Sequence, residues 1–124
     1  MDGAIQPEGV ATPPFPFSPV VASGDLVWTA GQVGTDTSGA LVEGGAGAQT
    51  RQALENVRLC LEAAGCGLDD VVKVNAYLAD MDDFDAYNAA YQDLFTTPYP
   101  ARTTVGATLA PGLLVEIEVV ARRR

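Results

Sequence analysis

Apolar residues along this chain change their spacing several times, and each change predicts an element. Val20-Val21-Ala22 and Leu26-Val27-Trp28-Thr29-Ala30 flank Ser23-Gly24-Asp25. Two short apolar runs around a glycine turn predict a β-hairpin. Gly31-Gln32-Val33-Gly34 breaks the second run. Residues 34–47 carry glycines at 34, 39, 44, 45 and 47 and read as loop, with a short strand around 40–42. Over residues 48–64 the period becomes helical. Ala53, Val57, Leu61 and Ala64 recur at three- and four-residue steps, with Arg51, Glu55, Arg58 and Glu62 elsewhere on the wheel. Gly65 ends this helix as a C′ residue. Val71–Leu78 then alternates, with Val72, Val74, Ala76 and Leu78 on one face and Lys73, Asn75 and Tyr77 on the other. Asp80-Met81-Asp82-Asp83 supplies N-caps for a second helix, striped by Phe84, Tyr87, Tyr91, Leu94 and Phe95 and stopped by Pro98 and Pro100. Two strands close the chain, 103–109 and 114–121, around Ala110-Pro111-Gly112. In the last, Val115, Ile117 and Val119 face one way and Glu116 and Glu118 the other.

The order is ββ(β)-α-β-α-β-β, an α+β domain whose two helices cover one face of a mixed sheet. The other face, with Trp28, Tyr77 and several valines, predicts burial in an oligomer interface. A length of 124 residues predicts one domain over 1–124. Pro7, Pro13, Pro14, Pro16 and Pro19 make residues 1–14 and a little beyond an extended, irregular arm.

Composition narrows the chemistry. A net charge of −9 argues against nucleic-acid and membrane partners, which need a basic surface. No apolar run approaches the roughly 20 residues of a membrane helix. Met1-Asp2-Gly3-Ala4 lacks the basic start and apolar core of a secretory signal. Cys60 and Cys66 have no metal-type spacing, so reduced thiols in a cytoplasm are expected. The chain has no histidine, which removes histidine triads and histidine-ligated metals. The acidic run 80–83 lacks the spaced oxygens of a calcium loop and reads as capping. The terminal Arg122, Arg123 and Arg124 read as a solubilising or frayed tail. Between Lys73 and that tail Arg102 is the only basic residue. Its planar guanidinium suits a carboxylate ligand, or equally a surface carboxylate at a strand end.

Five segments resemble, in order, those of the Rid/YjgF family of reactive-intermediate deaminases. They are Thr29-Ala30-Gly31-Gln32-Val33, Gln49-Thr50-Arg51-Gln52-Ala53-Leu54-Glu55-Asn56-Val57, Val72-Lys73-Val74-Asn75-Ala76-Tyr77-Leu78, Pro100-Ala101-Arg102-Thr103-Thr104-Val105 and Val115-Glu116-Ile117-Glu118. The resemblance implies a chorismate-mutase-like fold, a homotrimer and sites in clefts between subunits. It implies cofactor-free hydrolysis of 2-aminoacrylate and related enamine or imine acids to 2-keto acids and ammonia. Arg102 matches the family arginine that holds the substrate carboxylate, aided by the Gly31 N–H. Glu116 matches the glutamate that directs water, with the Thr104 carbonyl as a second water contact. Glu118 shares the face of Glu116 and is its rival for the role. Asn88 lies beside the aromatic stripe of the second helix, within reach of a cleft.

Three positions depart from the family pattern. Phe17 stands where the deaminases usually carry tyrosine, Ala30 where they carry serine, and Thr104 where they carry cysteine. These changes imply a bulkier or more apolar substrate, or a weakened deaminase. An aminomuconate-type deaminase, another hydrolase and a non-enzymatic binder of small carboxylates are the alternatives. The ribonuclease activity claimed for some relatives fits poorly with the charge of −9 and the absence of histidine. One geometric expectation is specific. If the last two strands formed a tight hairpin, Arg102 would oppose a residue near Ala121 and lie about 16 Å from Glu116. Contact between the two requires another strand arrangement or a neighbouring subunit.

Overall fold

The computed structural model describes residues 2–124. Seven strands and two helices follow in the order β1 (Gly3–Ile5), β2 (Val20–Ser23), β3 (Leu26–Thr29), β4 (Gln32–Val33), α1 (Gly45–Ala63), β5 (Val71–Leu78), α2 (Phe84–Leu94), β6 (Ala101–Gly106) and β7 (Val115–Arg122). The strands form one mixed sheet in the order β1-β2-β3-β7-β5-β6, with β4 also on β7. Both helices pack on the same face. Ala53, Leu54, Val57 and Leu61 of α1 meet Val27, Val74, Leu78, Val115 and Ile117 of the sheet in one core.

The expected elements are present with shifted ends. α1 starts three residues before residue 48, because Gly44 and Gly45 adopt positive φ and turn the chain into the helix. Gly65, at φ 82°, terminates it as expected. Asp80 caps a 3-10 turn ahead of α2, its side chain accepting the Asp82 N–H. Val72 leaves the buried face expected for it. A bulge between Val71 and Lys73 turns Val71 inward and leaves Val72 exposed. The N-terminal arm is not irregular throughout, since Gly3–Ile5 pairs with β2 as an edge strand. Around 40–42 the structure has only a single bridge, Thr35 to Leu41.

Two further corrections matter for the site. The last two strands do not pair with each other. β5 lies between them, parallel to β6 and antiparallel to β7. The terminal arginines are not a frayed tail. Arg122 pairs with Asp25 at 3.2 Å and Arg124 with Asp70 at 2.9 Å, while Arg123 reaches Asp2 and the Gly24 carbonyl. Among the described residues no helix is long and apolar enough to cross a membrane.

Candidate functional site

Register decides where the candidate residues face. Arg102 of β6 is level with Val74 of β5, which is level with Val119 of β7. Val74 and Val119 are buried beneath the helices, so Arg102 projects to the helix face. There its Nη1 donates to Asn88 Oδ1 at 2.7 Å. Its guanidinium carbon lies 4.7 Å from the ring centre of Tyr91, 5.1 Å from Tyr87 and 5.8 Å from Phe84. These rings recur at helical spacing on α2, so one stripe both fills the core and forms a shelf for the cation. Arg51, Arg58, Arg122, Arg123 and Arg124 all have carboxylate partners. Arg102 has none among the described residues. It lines a cavity of about 270 Å³ with Asn88, Tyr91, Gln92, Tyr99 and Pro100.

Thr104 shares that face, and its Oγ1 lies 2.9 Å from the buried Tyr87 hydroxyl. Burial pushes the Tyr87 proton affinity up, partly offset by the Thr104 hydrogen bond and the Arg102 charge. Burial pushes Tyr91 up to about 12, and its hydroxyl has no partner among the described residues. Both phenols therefore stay protonated at neutral pH.

Glu116 lies elsewhere. It is level with Tyr77 of β5 and Val33 of β4, on the sheet face away from the helices. Two strand spacings and three residues of rise put it about 14 Å from Arg102 along the sheet, with the sheet between their side chains. One chain alone cannot bring both onto one small ligand. The strand arrangement differs from the hairpin, yet within one chain the two side chains still face opposite sides of the sheet.

The setting of Glu116 is built by a break in the sheet. β3 and β4 both pair with β7 on the same side, interrupted at Ala30 and Gly31. Glu116 reaches into that notch, so any Cβ on Gly31 would overlap its carboxylate. Gly34 allows a second close approach, since a Cβ there would sit 2.7 Å from Cα of Gln49. Buried amides fix the surrounding loops. Asn56 Nδ2 donates to the carbonyls of Val33 and Thr35, at 3.0 and 2.9 Å. Gln49 donates to Gly112 O at 3.1 Å and accepts from Leu114 N–H at 2.8 Å. Glu116, Gly31, Asn56, Phe17 and residues 10–15 of the arm line a cavity of about 320 Å³. Phe17 is 50% exposed, and the Ala30 N–H donates to Pro19 O at 2.8 Å, tying the arm to the notch. Burial raises the proton affinity of Glu116 above its ordinary value of 4.5, and the charge of Glu118 raises it further. Glu118 is engaged by Tyr77, whose hydroxyl donates to its Oε1 at 3.0 Å.

The candidates therefore fall into two groups. Arg102, Asn88 and Thr104 meet on the helix face, and Glu116, Gly31, Ala30 and Phe17 meet at the notch. The aromatic shelf beneath Arg102 and the Tyr77–Glu118 bond were not anticipated as site features. The only sequence signal for the shelf was the helical stripe that marked its rings as core.

Comparison with known proteins matches this arrangement to a family. A family model described as endoribonuclease L-PSP covers residues 10–123. A RutC family protein of Pyrococcus horikoshii is 41% identical over 123 residues, 98% of each chain. The 2-iminobutanoate/2-iminopropanoate deaminase of Homo sapiens is 41% identical over 108 residues, 86% of this chain and 79% of its own. The crystal structure of the YjgF gene product of E. coli has a TM-score of 0.91 at 34% identity, covering 98% of both chains. A mixed sheet with two helices on one face, matched over nearly its whole length by these proteins, belongs to the Rid/YjgF family.

Proposed function

We propose that the protein is a cofactor-free deaminase that hydrolyses small enamine and imine acids to 2-keto acids and ammonia. Its site joins the Arg102 pocket of one subunit to the Glu116 notch of the next in a homotrimer. The observation that carries the reading is Arg102, a guanidinium seated against aromatic rings and facing a cavity, with no carboxylate partner among the described residues. A deaminase of 2-iminobutanoate and 2-iminopropanoate among relatives 41% identical supports the substrate class.

The substrate carboxylate takes the paired N–H groups of Arg102, with Asn88 steadying the guanidinium from behind. The imine carbon then lies toward the adjoining notch. A protonated imine is already electrophilic, so orientation and one base suffice. Glu116 accepts a proton from water as its oxygen bonds to the imine carbon. The resulting amino alcohol regains that proton on nitrogen and expels ammonia while its hydroxyl proton passes to Glu116 and on to the departing ammonia, leaving the 2-keto acid. Shelter in the notch keeps the base closer to neutral pH than a free glutamate. Trp28 and Val21, 41% and 39% exposed on the open face, are the apolar surface on which subunits meet.

Mixing two defective variants tests the shared site. Arg102→Ala and Glu116→Gln each lose turnover of 2-aminoacrylate released by a dehydratase. After co-refolding in equal amounts, about a quarter of heterologous sites regain both residues, and activity returns to that order. No recovery from the mixture would reject the shared site, and no wild-type acceleration of keto-acid release would reject the deaminase. Keto-acid binding without turnover would identify a carboxylate-binding protein instead.

A further inference from the structure

The open face of the sheet carries a polar cluster that the proposed chemistry leaves unused. Tyr77 lies directly across from Glu116, yet its hydroxyl donates to Glu118, two residues further along β7. The strand places Glu116 and Glu118 on one face, with backbones about 7 Å apart. Like charges at that spacing repel, and a carboxylate on a sheet surface turns toward water unless something holds it. Here the tyrosine holds it.

We propose that Tyr77 is a positioning residue of the candidate site, its hydroxyl pinning the Glu118 carboxylate beside Glu116 as a fixed negative neighbour. The inference rests on Glu116 being the base. Burial is the larger reason that Glu116 holds its proton tightly, and the neighbouring Glu118 charge is the second. The bond to Glu118 in turn raises the proton affinity of the Tyr77 hydroxyl, which stays a donor through neutral pH.

Other groups of the chain around Glu116 do not duplicate this role, and the Arg102 that the proposed assembly brings from the adjoining subunit has the opposite charge and is common to every variant compared. Val33, opposite on β4, is apolar. The Asn56 amide is committed to the carbonyls of Val33 and Thr35. Asp36 lines the same cavity, but Ser38 and the Ala40 N–H bind its carboxylate. On the same sheet face Lys73 donates to Thr103 at 2.9 Å. An anion held along the strand strengthens the base without occupying the space a substrate needs.

The test is a carbon-detected NMR titration of the Glu116 side chain in wild type, Tyr77→Phe and Glu118→Gln. The pH dependence of kcat/KM on 2-iminopropanoate is measured in parallel. Glu118→Gln lowers the Glu116 midpoint by about half a pH unit, the size of a water-screened interaction at that separation. Tyr77→Phe lowers it less and in the same direction, and the acid limb of the rate profile follows. Identical midpoints in wild type and Tyr77→Phe overturn the proposal, even if Glu118→Gln shifts. A purely structural tyrosine would lower the melting temperature of Tyr77→Phe and leave the midpoint in place. Failure of the base assignment reads out separately. Full turnover by Glu116→Gln removes Glu116 from the chemistry, while the midpoints still judge the pinning.

Discussion

The two faces of the sheet treat charge in opposite ways. On the helix face Arg102 rests on three aromatic rings and an amide oxygen, a cation with no anion on it among the described residues. On the open face Glu116 and Glu118 share one side of β7 at the notch, with no arginine on them among the described residues. Neither half is electrostatically complete. Arg102 and Glu118 are each held by a neutral partner, Asn88 and Tyr77. In the proposed site, assembly would bring these two charged halves together from opposite faces of one sheet.

That contrast is broken or sharpened by comparing variants of the two halves. The largest expected effect is at the notch. Glu116→Gln loses about 10²–10⁴-fold in kcat with little change in KM, since it removes a proton acceptor and not a carboxylate clamp. Steady-state kinetics on 2-iminopropanoate would check this, and a change confined to KM would contradict it. Arg102→Ala has the complementary signature. It raises KM or the keto-acid dissociation constant by about 30-fold or more, as expected when one partner of a sheltered charge pair is truncated. Calorimetric titration with a 2-keto acid reads this without turnover.

A smaller effect separates the shelf from its hydroxyl. Tyr87→Phe keeps the ring beneath Arg102 and loses the hydroxyl with its bond to Thr104. It should cost about 1 kcal/mol of stability in denaturant melts and leave ligand affinity within a few-fold. A large affinity loss would mean that the hydroxyl, and not the stacking, sets the guanidinium. The subtlest prediction is a position on the pH axis. Burial favours the neutral form of Glu116, so its midpoint is raised. The acid limb of kcat/KM should then lie above 4.5, with activity falling as pH drops through it. A limb at or below 4.5 would mean that the Arg102 charge brought in by the adjoining subunit outweighs shelter in the notch.

Much of this was legible in the residues, for physical reasons that also explain the failures. Helical spacing in α1 and α2 and the period-two pattern of β7 are local consequences of burying one face, and they appear where expected. β4 is two residues long and flanked by Gly31 and Gly34, so its sequence carries a turn signal stronger than its strand signal. Val72 alternates correctly on paper, but the bulge that expels it comes from pairing with β7, almost fifty residues away. The insertion of β5 between β6 and β7 is likewise a long-range choice, since a glycine turn between two strands favours the hairpin that did not form. Arg102 stood out because cations are scarce in this chain. Its aromatic shelf did not, because a ring that fills a core and a ring that seats a cation follow the same spacing.

The notch at Gly31 has a consequence for descent. The Glu116 carboxylate occupies the space that any side chain at position 31 would need. Position 31 cannot gain a side chain while the acid holds that place, whereas a shorter residue at 116 would release the constraint on the glycine. In a lineage that has abandoned the chemistry, the two positions should decay together, and glycine paired with glutamate should mark the lineages that retain it.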